Sequence, residues 1–435
     1  MAKVEVAEET KSRMVRTGAA DLLIAIAAPV DLAELRVRAA EAVHSLPQLP
    51  ALEGEPSGLR TVVAFPNAAG SAEAAVPGTP APPPDQAGNQ IEDQAGLRFL
   101  PYAQPNNAPP VMPMLASSAA YQALFGMARD LGVSACAVVA SDLVSLKADL
   151  FKQLLVPIFA QRSDLSLPVY PVGKFEGLLN VSILAPLTRA LYGQRVHFPL
   201  APDFGVSAQL LPGLENPLRR TSSAGQTLLW PATEAVVGDR KICQVYTDVR
   251  HPAAAEGLDL STVLTATVAP LFAEMDANAA LWQRIRGSQP VEISGTPSAA
   301  PPDGAAVDVR PMIETFNIGF NNLQEVWSPV LPPVALLELK RLTRLNAEQF
   351  RMPDELWVRI VYDFALAYRL RTLGRGHLMG ALAPLYLGWV ASYALEVASL
   401  RPHEVEHRVE RLARAYEEGK PYLLSRWRWP DRFNP

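Results

Sequence analysis

The sequence has 435 residues, of which 49% are hydrophobic and 19% are charged, and its formal net charge is −5. The apolar content excludes a disordered chain, and the acidic balance argues against a basic surface for nucleic acid or an anionic membrane. The first 16 residues lack the apolar core of a signal peptide, and Pro384, Gly388 and Glu396 interrupt the apolar run at 381–398. We therefore expect no transmembrane segment and a cytoplasmic location.

The first predicted elements form a βαβ pattern. Asp21–Ala28 is a near-continuous apolar run, which is typical of a strand buried on both faces. Asp31–Ser45 carries apolar residues at helical spacing, and Arg60–Phe65 predicts a second strand. A strand, a helix and a second strand in this order predict a parallel sheet, and therefore an α/β fold.

A proline-rich stretch follows the second strand. Residues 72–95 are rich in Pro, Ala, Gly and Gln, a composition that excludes a helix or a central strand, so we interpret them as a surface loop. Beyond it, Leu97–Leu100 predicts a third strand and Ala116–Leu131 a helix. We expect the α/β domain to cover residues 17–285, after an N-terminal extension of residues 1–16.

Polar residues follow two of the predicted buried strands. Ala135–Ala140 ends at Ser141 and Asp142, and Lys241–Val245 is followed a few residues later by His251. In doubly wound sheets, ligands bind at the carboxyl ends of the strands. The sequence therefore places Asp142 where a ligand is expected.

The C-terminal part is predicted to be helical. Residues 286–329 are interpreted as a linker rich in Pro, Gly and Ala. Residues 330–435 are expected to form a helical section that packs on the α/β domain, because the apolar faces of its helices are wide. The predicted helices are Pro333–Leu345, Glu355–Thr372, Leu378–Ser399 and Pro402–Gly419.

Several sequence blocks resemble a known family. They are LGVSACAVVASDLVS (Leu131–Ser145), VGKFEGLLN (Val172–Asn180), PLTRALYG (Pro186–Gly193), APDFGVS (Ala201–Ser207) and KPYLLSRW (Lys420–Trp427). In order and spacing they are similar to bacterial glycosyltransferases of the mannosylglycerate synthase and glucosyl-3-phosphoglycerate synthase type. Any single block is a weak signal, whereas the combination over roughly 300 residues is specific.

The resemblance implies a GT-A fold, the nucleotide-diphospho-sugar transferase fold, with a mixed, mainly parallel sheet and a C-terminal helical section. It implies a retaining, metal-dependent transfer of a sugar from a nucleotide-sugar donor to a small hydroxy-acid or similar acceptor. The expected partners are therefore small molecules and not nucleic acid, and a homo-oligomer is left open.

The resemblance also implies a metal site. The leaving nucleotide diphosphate carries negative charge that Mg²⁺ or Mn²⁺ can neutralise. By family position, Asp142 and His251 would hold this cation, and Ser141 and Ser117 would lie at the nucleotide-sugar site. The alternative is that Asp142 caps the following turn and that His251 is a surface histidine.

Three further residues match family positions on the acceptor side. By resemblance, Asp203, Lys174 and Glu176 would be catalytic, with Asp203 facing the sugar or the acceptor. The alternative for Asp203 is a turn aspartate after Pro202.

Several positions depart from the family pattern. Ala140 stands where the family has the first aspartate of its D-x-D motif, Ser117 where it has a lysine, Gly173 where it has a histidine and Thr227 where it has an aspartate. Each change removes a polar or charged group. Two functions are therefore left open: an active glycosyltransferase, or a catalytically degenerate paralogue that acts as a binding or partner protein.

Overall fold

The computed structural model describes residues 18–46, 59–66, 93–94, 97–102, 117–140, 142–220, 228–251, 259–299, 301 and 307–429. These residues divide into two compact units. The sheet unit comprises the described parts of Met1–Val169, Leu200–Ala254 and Glu292–Thr296. The helical unit comprises the described parts of Tyr170–Pro199, Ala255–Val291 and Pro297–Pro435.

Eleven strands are present in the described residues. Two of them, β7 (Gln194–Arg195) and β10 (Gln289–Pro290), pair in parallel in the helical unit. The others form one sheet: β1 (Leu22–Ile26), β2 (Thr61–Pro66), β3 (Asp93–Gln94), β4 (Leu97–Tyr102), β5 (Ala135–Val139), β6 (Leu165–Val169), β8 (Phe204–Ser207), β9 (Ile242–Tyr246) and β11 (Glu292–Ser294).

The strands of the large sheet lie in the order β11-β9-β6-β8-β5-β1-β2-β4-β3. Neighbouring strands are parallel, except that β8 runs antiparallel to β5 and β6, and that β3 runs antiparallel to β4. All five residues of β1 are buried, as expected for a central strand covered on both faces. The predicted α/β class with a mixed, mainly parallel sheet is confirmed.

The helices are numbered in chain order through both units. The sheet unit contains α1 (Leu32–His44), α2 (Ser118–Asp130), α3 (Ala148–Phe159), α5 (Leu211–Arg220) and α6 (Pro231–Val237). The helical unit contains α4 (Ala185–Tyr192), α7 (Leu260–Ala277), α8 (Ala279–Trp282), α9 (Arg310–Asn322), α10 (Gln324–Trp327), α11 (Pro333–Leu342), α12 (Asp354–Leu370), α13 (Arg375–Val397) and α14 (Pro402–Arg428).

Two helices cover one face of the sheet and close its core. Leu35 of α1 and Phe151 of α3 pack with Leu22 and Ile24 of β1, and all four side chains are buried. Asp31 caps α1 by accepting a hydrogen bond from the amide of Glu34 at 2.8 Å, which is the role expected of an aspartate before an apolar helix.

Gly205 in β8 allows α3 to approach the sheet closely. A Cβ added to Gly205 would lie 2.7 Å from the carbonyl oxygen of Leu154, a backbone atom that cannot turn away. We expect Gly205→Ala to lower the free energy of unfolding by about 1–3 kcal/mol in urea titrations. Gly126→Ala in α2 is the matched control. Its Cβ would meet nothing closer than 3.9 Å, so it should leave stability unchanged or raised.

Buried charges tie the C-terminal helix α14 to α4 inside the helical unit. Arg189 of α4, with a side chain 8% exposed, donates to Glu410 at 2.6 Å and to Glu417 at 2.9 Å. Lys420 donates to the carbonyl oxygens of Ala190 at 2.7 Å and Ile285 at 2.8 Å. These contacts explain why a helical block near residue 190 associates with the last helix of the chain.

The predicted domain boundaries differ from this division. Residues 170–199 and 259–285, which were expected in the α/β domain over 17–285, group with the helical unit. The predicted linker 286–329 contains α9, whose side chains Phe316 and Phe320 are buried. The proline-rich composition misled the prediction because Pro311 occupies the first turn of α9, where a missing amide hydrogen has no cost.

One helix among the described residues, Arg375–Val397, is long and apolar enough to span a membrane by length and composition alone. Within the protein, 72% of its most apolar window is buried, as is common for a core helix. Tyr386, Trp389 and Tyr393 of this helix are all buried, as expected for side chains that pack in a core.

Candidate functional site

Strand direction brings three distant parts of the chain to one edge of the large sheet. Strands β5, β6 and β9 run in one direction, and β8 runs against them, with Val138 of β5 paired to Phe204 of β8. The carboxyl ends of β5 and β9 therefore share an edge with the amino end of β8. This edge carries Asp142 after β5, Asp203 before β8 and His251 after β9.

Asp142 lies in a tight turn after β5. One carboxylate oxygen accepts a hydrogen bond from the amide of Val144 at 3.2 Å, and the side chain is 16% exposed. The next residue, Leu143, has a φ of 55°, a left-handed conformation that is costly for a side chain of this size. One oxygen of Asp142 thus caps the turn, as the alternative interpretation held, and the second oxygen does not take part in the cap.

That second oxygen contacts His251. The distance from Asp142 Oδ2 to His251 Nδ1 is 2.6 Å. The two residues that the resemblance assigns to the cation therefore lie close enough for one ion to contact both. His251 is not a surface histidine, because its side chain is only 7% exposed.

Asp203 contacts the other side of the same ring. Its Oδ2 lies 2.6 Å from His251 Nε2, and its side chain is 0% exposed. Its Oδ1 accepts hydrogen bonds from the main-chain amide of Ala140 at 2.8 Å and from the hydroxyl of Ser145. Asp203 is therefore enclosed by protein, and the predicted contact with a sugar or an acceptor is corrected. The reason is the antiparallel β8, which starts beneath the end of β5 and turns Asp203 inward.

The two carboxylates make His251 strongly basic. Burial alone lowers the pKa of this imidazole, but the hydrogen bonds with Asp142 and Asp203 and the charges of both carboxylates outweigh it. Together they raise the pKa of His251 from 6.5 to about 10. This shift favours the imidazolium at neutral pH, and that form can donate to one carboxylate from each ring nitrogen.

A divalent cation at this edge would have two protein ligands. Within the described ranges, no three or more His, Cys, Asp or Glu side chains are grouped so as to hold a metal ion. The two carboxylates do not add up to a three-ligand site, because they bind nitrogens on opposite sides of one ring. The pair that fits a hard cation is the partly exposed Asp142 with His251 Nδ1, and Asp203 would then hold the far nitrogen.

Among the other predicted site residues, those that the structure describes are hydrogen-bonded within their own unit. Ser117 caps α2, its hydroxyl oxygen accepting from the amide of Ala120 at 3.2 Å. Ser141 and Thr227 lie outside the described residues. Lys174 donates to the carbonyl of Ala398 at 3.0 Å, and Glu176 accepts from the amide of Gly173 at 2.7 Å. Lys174 and Glu176 belong to the helical unit, whereas Asp142, Asp203 and His251 belong to the sheet unit.

Sequence reasoning missed two groups of the site. Ser145 is buried and bonded to Asp203, and the main-chain amide of Ala140 serves Asp203 although the side chain at 140 is apolar. Ser145 lies within the block ASDLVS that resembles the family, and this position was the only available signal.

In comparisons with known proteins, no family model matches the chain and no curated protein matches it.

Proposed function

We propose that this chain is a glycosyltransferase-like protein of the GT-A type, in which the sheet edge at Asp142 and His251 binds the diphosphate of a nucleotide-sugar through Mg²⁺ or Mn²⁺. The observation that carries the proposal is the pairing of Asp142 with His251 at the carboxyl ends of two strands, 109 residues apart in sequence. The mixed, mainly parallel sheet and the helical C-terminal section agree with the fold that the resemblance implies.

The donor set suits this chemistry. One carboxylate and one imidazole leave most positions around an octahedral cation for diphosphate oxygens and water. When bound, the cation would act as a Lewis acid that stabilises the charge of the departing diphosphate. Asp142 would contribute a charged oxygen from a turn held by the hydrogen bond that its Oδ1 accepts from the amide of Val144. The cation would replace the Nδ1 proton of His251, which is released to solvent.

A second candidate function is a degenerate paralogue that binds a nucleotide without efficient transfer. Two observations favour weak catalysis. The side chain of Ala140 is apolar and 3% exposed, so it offers no hydrogen bond to a ribose or a sugar. The hydroxyl of Ser117 caps α2 and carries no charge to offset the diphosphate. Losing one polar group at such a site typically costs roughly 3–4 kcal/mol of transition-state stabilisation.

We expect weak nucleotide binding that depends on Mn²⁺, with little or no sugar transfer. Calorimetry with UDP- and GDP-sugars, with and without Mn²⁺, measures the binding, and release of free nucleotide measures the transfer. Asp142→Asn and His251→Asn should each weaken the Mn²⁺-dependent binding by at least about tenfold, since each removes one of two protein ligands. His377→Asn, at an exposed histidine of the helical unit, is the matched control and should bind like the wild type.

The outcomes separate the two functions. Micromolar binding with turnover would show an active transferase, and Mn²⁺-dependent binding without turnover would show the degenerate paralogue. Nucleotide binding that does not depend on Mn²⁺, or that Asp142→Asn leaves unchanged, would contradict both functions. Each of them requires the diphosphate to bind a cation held by Asp142.

A further inference from the structure

We propose that Asp203 is a positioning residue, which keeps a proton on His251 Nε2 and thereby turns Nδ1 toward Asp142 as the nitrogen that can bind a cation. This inference rests on the proposed function, because it assigns a role in the same site. It concerns a residue that touches neither a ligand nor solvent, since the side chain of Asp203 is 0% exposed.

The two carboxylate oxygens of Asp203 contact different groups, and these contacts fix the orientation of the side chain. Oδ1 accepts from the amide of Ala140 at 2.8 Å and from the hydroxyl of Ser145, while Oδ2 faces His251 Nε2 at 2.6 Å. With Oδ1 held by two hydrogen-bond donors, the carboxylate cannot rotate, and Oδ2 remains an acceptor aimed at the ring. A carboxylate on the far nitrogen of a metal-binding histidine fixes the tautomer and orientation of the ring and makes the free nitrogen a better ligand.

The exposure of the two carboxylates determines from which side of the His251 ring a cation can approach. Asp142 is 16% exposed and Asp203 is not exposed at all, so a cation arriving from solvent meets the Asp142 side of the ring. Nδ1 can then become a ligand once it releases its proton to solvent, while Nε2–H keeps its bond to Asp203. The opposite arrangement would bury the cation between Nε2 and an enclosed carboxylate, where no water or diphosphate oxygen could complete its coordination.

The same geometry gives position 140 a role that does not need its side chain. The amide hydrogen of Ala140 is one of the two donors that orient Asp203. An alanine there loses the contact that an aspartate side chain would make to a nucleotide-sugar, yet it retains the main-chain contact that positions His251.

Asp203→Asn tests the proposal through the chemistry of an amide. The amide of Ala140 can only donate, so the asparagine must place its carbonyl oxygen there and its NH₂ toward Nε2. The ring can accept from that NH₂ only as the neutral tautomer with its proton on Nδ1, which faces Asp142 and blocks the cation. We expect Mn²⁺ affinity in the presence of UDP or GDP to fall 10–100-fold.

The NMR signals of the His251 ring nitrogens report the tautomer directly, and they would not change if Asp203 had only a structural role. In ¹H–¹⁵N spectra of ¹⁵N-histidine-labelled protein, six histidines contribute signals, and His251→Asn identifies that of His251. The cation-free wild type should show an Nε2–H signal protected from exchange, and adding Mg²⁺ with UDP or GDP should shift Nδ1 and leave Nε2–H in place. Asp203→Asn should remove the proton from Nε2 and leave the ring with a proton on Nδ1 alone. Ser145→Ala, which removes one of the two donors to Oδ1, should speed the exchange of Nε2–H.

The outcomes distinguish this inference from the function on which it rests. A protected Nε2–H in a wild type that binds no cation would contradict the proposed function and leave the role of Asp203 in the ring's orientation intact. A cation that shifts Nε2 of the wild type, or an Asp203→Asn variant with wild-type tautomer and Mn²⁺ affinity, would overturn the positioning role. The wild-type spectrum decides the matter even if Asp203→Asn fails to fold.

Discussion

Asp203→Ala is expected to lower the free energy of unfolding by about 3–5 kcal/mol, the range found when one partner of a buried ion pair is removed. The substitution leaves three buried groups without their acceptor: the amide of Ala140, the hydroxyl of Ser145 and Nε2 of His251. Each unsatisfied buried donor costs about 1–3 kcal/mol, and water cannot readily replace a carboxylate that is 0% exposed. Urea titration followed by circular dichroism measures the change, and the slope with urea should stay constant.

Asp130→Ala is the matched control for this substitution. Asp130 also pairs with a cationic side chain, Arg129, at 3.2 Å, but its side chain is 44% exposed. Exposed pairs contribute little, so the control should change stability by less than about 1 kcal/mol. If Asp203→Ala behaved like this control, the three contacts to Asp203 could not be made by a buried carboxylate as the structure has them.

The local patterns of the sequence predicted the strands that form the edge of the site. Apolar runs such as Leu22–Ile26 and Ala135–Val139 are short and fully buried, and such runs identify central strands without any knowledge of their neighbours. Asp142 and His251 were predicted to lie together because both follow buried strands, which end at a common edge when parallel, and because both match the ligand positions of the family that the sequence resembles.

The position of Asp203 could not be predicted in the same way. It depends on β8 being inserted antiparallel between β5 and β6, a long-range pairing that no local pattern specifies. This pairing joins Asp203 to Ala140, 63 residues earlier in the chain. A turn aspartate before a strand is compatible with either face of the sheet, and a change of register by one residue would have exposed it. Only the long-range pairing decides that its carboxylate turns inward to His251.

The packing partners within the helical unit could not be predicted for a similar reason. Apolar spacing predicted a helix over most of α14, but such spacing does not say which helix packs against which. The contacts that join α4 and α14, from Arg189 to Glu417 and from Lys420 to Ala190, link residues more than 200 positions apart. The identity of the carboxylates that pair with Arg189 therefore depends on the fold.

The metal-free protein should lose stability as the pH rises from about 6.5 to about 10, and His251 should be the cause. The pKa of His251 is about 10 in the folded protein and has its ordinary value of 6.5 in the unfolded chain. The folded state therefore binds more protons than the unfolded state in this window, and linkage requires stability to fall as protons are removed. The contribution is complete below about pH 6.5, declines through the window and is absent above about pH 10, with a total of up to about 5 kcal/mol.

Lys420 has the opposite effect and must be separated from it. Burial lowers the pKa of Lys420 to about 8, so its folded form binds fewer protons than the unfolded chain, and this residue makes stability rise with pH between about 8 and 10.5. The measurement is therefore the difference in unfolding free energy between the wild type and His251→Asn at several pH values, since both proteins keep Lys420. His251→Asn should already be less stable near neutral pH, because two carboxylates then face each other without the imidazolium. The difference between the two proteins should shrink steadily toward pH 10. A difference that stays constant across this range would mean that His251 is not charged between Asp142 and Asp203.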